Sequence, residues 1–514
     1  MKLKHNLIAG AALAVCSLST FAAGNLNAAA CTAAITTPEA ALALVANCAP
    51  AQTLFIGGAS TMSANTLAVL NSELFDTAAM TPIEIANAGA MVPSATGPVL
   101  NGNIKAFVGK SKAITGGIAA GTLVYVVYNY NNGSAGGVSQ LLGKTPKLAD
   151  QSNPLKAIPE ADVPFVGPAK DVTTPGGTTA NTFCTAVSAV KVSCSSHTTL
   201  TADLALSDVR AQELYKLYPA AAKGKPATLT QVPLFLQSFG VAVSQPLYVA
   251  LQKKTFTAGN ACVGDFTAAC QPSISSADYA SLVAKDGKVA SLADLTGDAS
   301  LVGTPLILAR RDDLSGTQAA SNIFFVNGQC GGNGNLDPKG IDVKVGKAGG
   351  LLGGLAIRTD GVDDIVGVLD VQSNVTSGTV KTAVGSATDY AIGVLGTGSG
   401  GLQGTAGRFV KIDGVSPNYD GTNFMNAAAT RAQIASGRYP FAFTLYGMYV
   451  TATLAKSPEK KASVLAVLNG FKNSTLSDLA GIAYLDGSTT VVGAPKQSAY
   501  NRQGGNNCSP ITKL

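Results

Sequence analysis

Along this chain, apolar runs of strand length alternate with segments of helical spacing, and the junctions carry glycines and hydroxyl residues. Leu54-Phe55-Ile56 leads into Gly57-Gly58-Ala59-Ser60-Thr61-Met62, after which Leu67, Val69, Leu70 and Leu74 keep helical spacing. Leu123 to Tyr130 is a β-rich run that ends in Asn131-Asn132-Gly133-Ser134-Ala135-Gly136-Gly137-Val138. A third junction, Ala202 to Asp208, opens a predicted helix through Ala211, Leu214, Leu217 and Tyr218. The fourth begins with Pro305 to Ala309, a predicted buried strand, and continues as Arg310-Arg311-Asp312-Asp313-Leu314-Ser315-Gly316-Thr317. Helical spacing follows, with Ser315 at the N-cap position. Strands alternating with helices predict an α/β architecture. In such sheets ligands sit at the carboxyl ends of the strands.

The fourth junction has a direct chemical use. A helix start offers free N–H groups and the positive end of a dipole, Ser315 and Thr317 add hydroxyls, and Arg311 adds a fixed charge. Together these make an anion site. The same residues also describe an ordinary capped surface helix with solvated arginines, and the stretch alone leaves both readings open.

Composition narrows the field. Across 514 residues, 46% are apolar and 13% charged, a globular balance with room for two or three domains. The net charge of +6 falls to +4 without Lys2 and Lys4, which with no basic patch argues against nucleic acid. Residues 1–30 read as a secretory signal peptide: Lys2 and Lys4, then an apolar stretch from Leu7 to Val15, then Ala28-Ala29-Ala30, with Thr20-Phe21-Ala22 as an alternative cleavage site. This places the protein in the periplasm or outside the cell. Eight cysteines remain after that segment, and an even number in an exported chain argues for disulfides. Proximity pairs Cys31 with Cys48, Cys184 with Cys194 and Cys262 with Cys270, leaving Cys330 and Cys508 as a long-range tie. Metal ligation is disfavoured, because no C-x-x-C occurs and His197 is the one histidine left.

In their order and content these junctions resemble the substrate-binding protein of the bacterial phosphate ABC transporter. The family's Gly-Ala-Gly-Ala-Thr-Phe loop is similar to Gly57 to Met62 and puts a contacting threonine at Thr61. Its Asn-Tyr-x-x-x-Gly-Ser-Ser-Gly-Gly-Val segment resembles Asn129 to Val138, spaced one residue tighter, with the contacting serine at Ser134. Its Asp-Phe-Gly-Ala-Ser-Asp resembles Asp203 to Asp208, which places the buried carboxylate at Asp208. Its Arg-x-Asp-Gly-Ser-Gly-Thr is matched by Arg311, Asp313, Ser315, Gly316 and Thr317, with Leu314 in place of a glycine. Looser likenesses at 391–394, 423–428 and 439–471 extend the resemblance over residues 52–475.

The resemblance implies a two-lobed periplasmic binding protein fold of type II with a ligand cleft between the lobes. Lobe I would comprise 31–240 and 394–514, and lobe II 241–393. It implies a monomer that captures inorganic phosphate for uptake, has a membrane permease as candidate partner, and uses no cofactor and no catalysis. Asp313 would hold the Arg311 guanidinium, and Asp208 would accept the proton that phosphate carries and sulfate lacks. The plainer role for Asp208 is an N-cap of the predicted helix after it. Two stretches, 76–122 and 143–200, are longer than the family's and read as decorative loops, a remodelled cleft or a partner surface. The rival function is a secreted structural or adhesive protein that keeps this fold without the ligand.

Overall fold

The computed structural model describes residues 52–76, 83–87, 104–114, 117–130, 133–142, 184–188, 191–194, 201–214, 229–257, 259–283, 292–311, 314–327, 330, 355–359, 362–369, 389–398, 407–418, 431, 433–473, 482–484, 500–502 and 506–513. The fold class is mixed α/β, as the alternating pattern predicts.

Strand β1 (Gln52–Gly58) leads through a 3₁₀ turn at Ser60–Met62 into α1 (Ser63–Glu73). Strands β2 (Ile83–Asn87), β3 (Ile104–Lys110) and β4 (Leu123–Asn129) precede α2 (Gly133–Leu142). Then come β5 (Cys184–Ser188), β6 (Lys191–Cys194), β7 (Leu204–Ser207) and the fifteen-residue β8 (Leu229–Val243). A run of helices and strands follows: α3 (Gln245–Phe256), β9 (Ser273–Ile274), α4 (Ser276–Val283), α5 (Leu292–Thr296), β10 (Leu306–Arg311) and α6 (Gly316–Val326). Next are β11 (Leu355–Thr359), α7 (Val362–Leu369), β12 (Tyr390–Gly396), β13 (Arg408–Phe409) and β14 (Lys411–Ile412). The chain ends with β15 (Ala442–Val450), α8 (Thr451–Leu454), α9 (Pro458–Lys472), β16 (Ile482–Tyr484), β17 (Tyr500–Arg502) and β18 (Ile511–Lys513).

One sheet path runs β11-β10-β12-β8-β15-β7-β1-β4-β3-β2-β6-β5. It divides at β8, whose start pairs with β15 (Leu229 with Val450) and whose end pairs with β12 (Val243 with Ile392). β1 lies parallel to β4 and β7, and β10 parallel to β11 and β12, so each side of β8 has a parallel core whose strands end in loops at one edge. Near-continuous burial along β1, β4, β7 and β10 fits parallel strands covered on both faces. A cluster around Leu54, Phe107, Val126, Leu204 and Phe471 packs the first side, with α1 and α9 laid on it. A cluster around Ile307, Ala309, Ile365 and Ala391 packs the outer second side. A larger cluster spans both sides, joining Val138 and Ala205 to Leu308, Ala320 and Ile392.

The expected crossings at 240–243 and 393–394 fall on paired strands: Ala242 lies opposite Gly393, and Val241 opposite Val394. β13 pairs with the end of β8 and β14 with β9.

Two expectations are corrected here. The helix predicted after Asp208 is a 3₁₀ turn, Ala211–Glu213, with Arg210 as its cap and 215–228 outside the described residues. The Arg210 N–H donates to Glu213 Oε2 (2.9 Å) at the start of the turn, and Leu214, extended at φ −76° and ψ 116°, ends it after three residues. The long stretches are also not only loops. β3 adds antiparallel to β4, β2 to β3, and the β5–β6 pair follows, so the stretches widen the sheet by four strands.

Cys262–Cys270 and Cys330–Cys508 are disulfides. The β5–β6 register sets the backbones of Cys184 and Cys194 opposite each other, and Cys31 and Cys48 lie outside the described residues. Among the described residues no helix is long and apolar enough to cross a membrane. Residues 1–30 lie outside them.

Candidate functional site

The site is built where four loops meet at the carboxyl ends of β1, β4, β7 and β10. At the first, the chain must turn sharply over the edge of β7. Gly58 has φ +125°, and a β-carbon there would overlap the Leu206 carbonyl, so only glycine fits. Ala59 N–H then donates to Leu206 O (2.8 Å), and the chain enters the 3₁₀ turn that carries Thr61. At the second loop Gly133 takes φ +58° and starts α2, so Ser134 sits in its first turn, fully buried.

Asp208 follows β7 directly and is 2% exposed. Its carboxylate does not cap the turn after it. Thr61 Oγ1 donates to Asp208 Oδ1 (2.5 Å) and Thr317 Oγ1 to Oδ2 (3.4 Å), from residues 147 and 109 positions away. The Asp208 backbone N–H donates to Ser134 Oγ (3.0 Å). Burial pushes the Asp208 carboxyl above the usual carboxylate range; the Thr61 hydroxyl, the Arg311 charge, Thr317 and Ser134 offset only part of that.

The fourth loop belongs to the second side of the sheet. Arg311 ends β10 and is 4% exposed; its backbone N–H donates to Gln318 Oε1 (3.1 Å). Ser315 caps α6, its Oγ accepting from Gln318 N–H (3.3 Å). Leu314 O accepts from Ala135 N–H (2.9 Å), a backbone bond from the first turn of α2 to the loop before α6. Gly316 is pressed against the first side, where a β-carbon would overlap Ser134 Oγ and stand 2.7 Å from Asp208 Cβ.

Thr61, Ser134, Gly316 and Thr317 thus converge on Asp208, Ser315 caps the same helix start, and the Arg311 charge acts on Asp208. Asp313, expected to orient Arg311, lies outside the described residues, as does His197. Two neighbours escaped the sequence reading. The Tyr128 hydroxyl donates to Ala59 O behind Thr61, and Asp208 adds to the burial and Tyr130 effects that push its pKa well above the phenol range. Gln318 ties Arg311 to the cap, and its Nε2 donates to Asn322 Oδ1 (2.9 Å). The end of an apolar run could have marked Tyr128; nothing in spacing marks Gln318. Among the described residues no group of three His, Cys, Asp or Glu is placed to hold a metal.

No protein-family model matches the chain, and no curated protein matches it. Solved structures do. An ABC-type phosphate transport receptor from Vibrio cholerae aligns over 81% of this chain and 94% of its own at 9% identity, with a TM-score of 0.34. PstS from Borrelia burgdorferi aligns over 84% and 98% at 11% identity, with a TM-score of 0.32.

Proposed function

We infer that this protein is a two-lobed, exported binding protein that captures inorganic phosphate between the sides of its sheet, for delivery to an ABC-type membrane permease. One observation carries this reading. A buried carboxylate, Asp208, is held by hydroxyls from both sides, Thr61 and Thr317, with the charge of Arg311 acting on it. A tetrahedral oxyanion needs many convergent donors, little net charge and one acceptor for its own proton. Thr61, Ser134, Ser315, Thr317 and the N–H groups at the starts of α2 and α6 are donors that add no charge. Arg311 supplies the single positive charge. Asp208, with its raised proton affinity, accepts the hydrogen of hydrogen phosphate; sulfate offers none and meets repulsion.

A second reading, a secreted structural or adhesive protein with the same fold, draws support from the same contacts. The hydroxyls and the carboxylate satisfy one another without a ligand. Calorimetry separates the two. Purified protein stripped of phosphate binds phosphate and arsenate in a 1:1 ratio and binds sulfate far more weakly under the first reading. Absence of phosphate binding, or sulfate binding equally well, sinks it in favour of the second.

A further inference from the structure

Helix α6 brings Ser315, Gly316 and Thr317 to the site at its start, and just past its far end stands Cys330. Cys330 is bonded to Cys508, 178 residues later, between the two strands β17 and β18 that pair with each other apart from the main sheet. That segment is fastened to the first side by its neighbours. Asn507 is fully buried; its N–H and Nδ2 donate to Glu213 Oε1 (3.1 Å) and Oε2 (2.8 Å), and its Oδ1 accepts from Thr444 N–H in β15 (3.1 Å). Arg210, which holds Glu213 through Nε (2.7 Å), also donates to Asn506 Oδ1. Asn501, in the strand paired with β18, accepts from Thr444 Oγ1 (3.1 Å). Arg210 and Glu213 lie on the same short loop as Asp208.

We propose that residues 506–508 form a covalent strap that clamps α6 to the Asp208 loop and so keeps the site closed. The site face of α6 meets Asp208 and Ser134, and its far end is bonded through Cys330 to a segment anchored beside Asp208. Parting the two sides about β8 must therefore move α6 against an anchor at each end. Breaking the disulfide removes one anchor and leaves the site residues untouched. In the terms of the proposed function, on which the ligand half of this inference rests, the strap lowers the rates of ligand entry and release alike, and a bound oxyanion is held rather than passed on quickly.

The test compares the full-length oxidised protein with a Cys330→Ser/Cys508→Ser double variant and an Asn507→Ala variant that keeps the disulfide. A Cys262→Ser/Cys270→Ser variant, which loses a local tie within the second side, serves as control. Amide hydrogen exchange of the first turn of α6 and of the Asp208 loop is read without added ligand, so it stands whether or not phosphate is the ligand. Exchange should quicken on the order of tenfold in the double variant, less in Asn507→Ala, and not in the control. Release of radiolabelled phosphate should quicken in the same order. Unchanged exchange at α6 in both the double variant and Asn507→Ala overturns the strap. If the double variant does not fold, Asn507→Ala decides alone. Quickened exchange without phosphate binding keeps the strap and rejects the ligand.

Discussion

Asp208 and Glu213 stand five residues apart, both buried and both pushed above the usual carboxylate range by burial, yet they are held in opposite ways. Every partner named for Glu213 belongs to a fixed frame: Arg210 Nε, the Arg210 N–H, and the N–H and side-chain amide of Asn507. Asp208 is held mainly by hydroxyls, which rotate about one bond and can turn to another acceptor. A buried acid committed to a charge and three amide donors is a structural tie. One held by hydroxyls from two separate elements is suited to exchange partners.

Breaking the tie should have the largest effect. Glu213→Ala leaves Arg210 and the Asn507 amides without their acceptor, and should cost about 3–5 kcal/mol of stability in a denaturant titration. Preference for phosphate over sulfate should not change in the protein that remains folded. At the site the pattern reverses: Arg311→Ala should cost about 2–5 kcal/mol of phosphate affinity by calorimetry, since a buried anion loses its charged partner. Gly316→Ala probes the contact between the two. Its new methyl group meets Ser134 and Asp208, and overpacking there should cost about 1–3 kcal/mol in stability.

Acidity gives a smaller and shared signature. Both carboxyls bind protons more tightly folded than unfolded, so between the ordinary carboxylate range and their raised values the native state carries more protons. Stability should therefore fall as pH rises through that window, a trend visible in melting temperatures. Asp208→Asn should remove its own part of the slope. It should change stability by about 1 kcal/mol or less while weakening discrimination against sulfate. A slope unchanged by that substitution would mean the window belongs to Glu213 and to Asp203, whose carboxyl burial also raises.

These two acids also mark how far the sequence could be read. Thr61, Ser134 and Arg311 follow apolar runs and glycines, because a strand that must turn tightly into a helix leaves that trace. Asp208 was legible only through likeness to a family; its own neighbourhood, with Ala211 and Leu214 at helical spacing, argued for a helix and a cap. Local spacing lost there to tertiary contacts: Glu213 is committed to Arg210 and to the distant Asn507, and Leu214 leaves the helical region, none of which periodicity encodes. Asn507 is nearly three hundred residues from Glu213, and nothing in Asn506-Asn507 as a sequence points to so distant a partner. The added strands were missed for another reason. β3 is as long as β1 and β4, but neither it nor β2 leads into a glycine and hydroxyl junction, so loop, remodelled cleft and partner surface stay open for that stretch in the sequence alone.

Strand β8 has a consequence for how the chain is made. Its neighbours β12, β15 and β16 are all synthesised later, the last ending at Tyr484, so β8 must wait with both backbone edges unpaired until most of the polypeptide exists. β1, β4 and β3, by contrast, can pair as soon as residue 129 has emerged. Such long-range pairing makes folding slow. The half-made chain offers an apolar strand, Leu234 to Val243, to any other open edge, and fast production should therefore yield aggregates seeded at that strand.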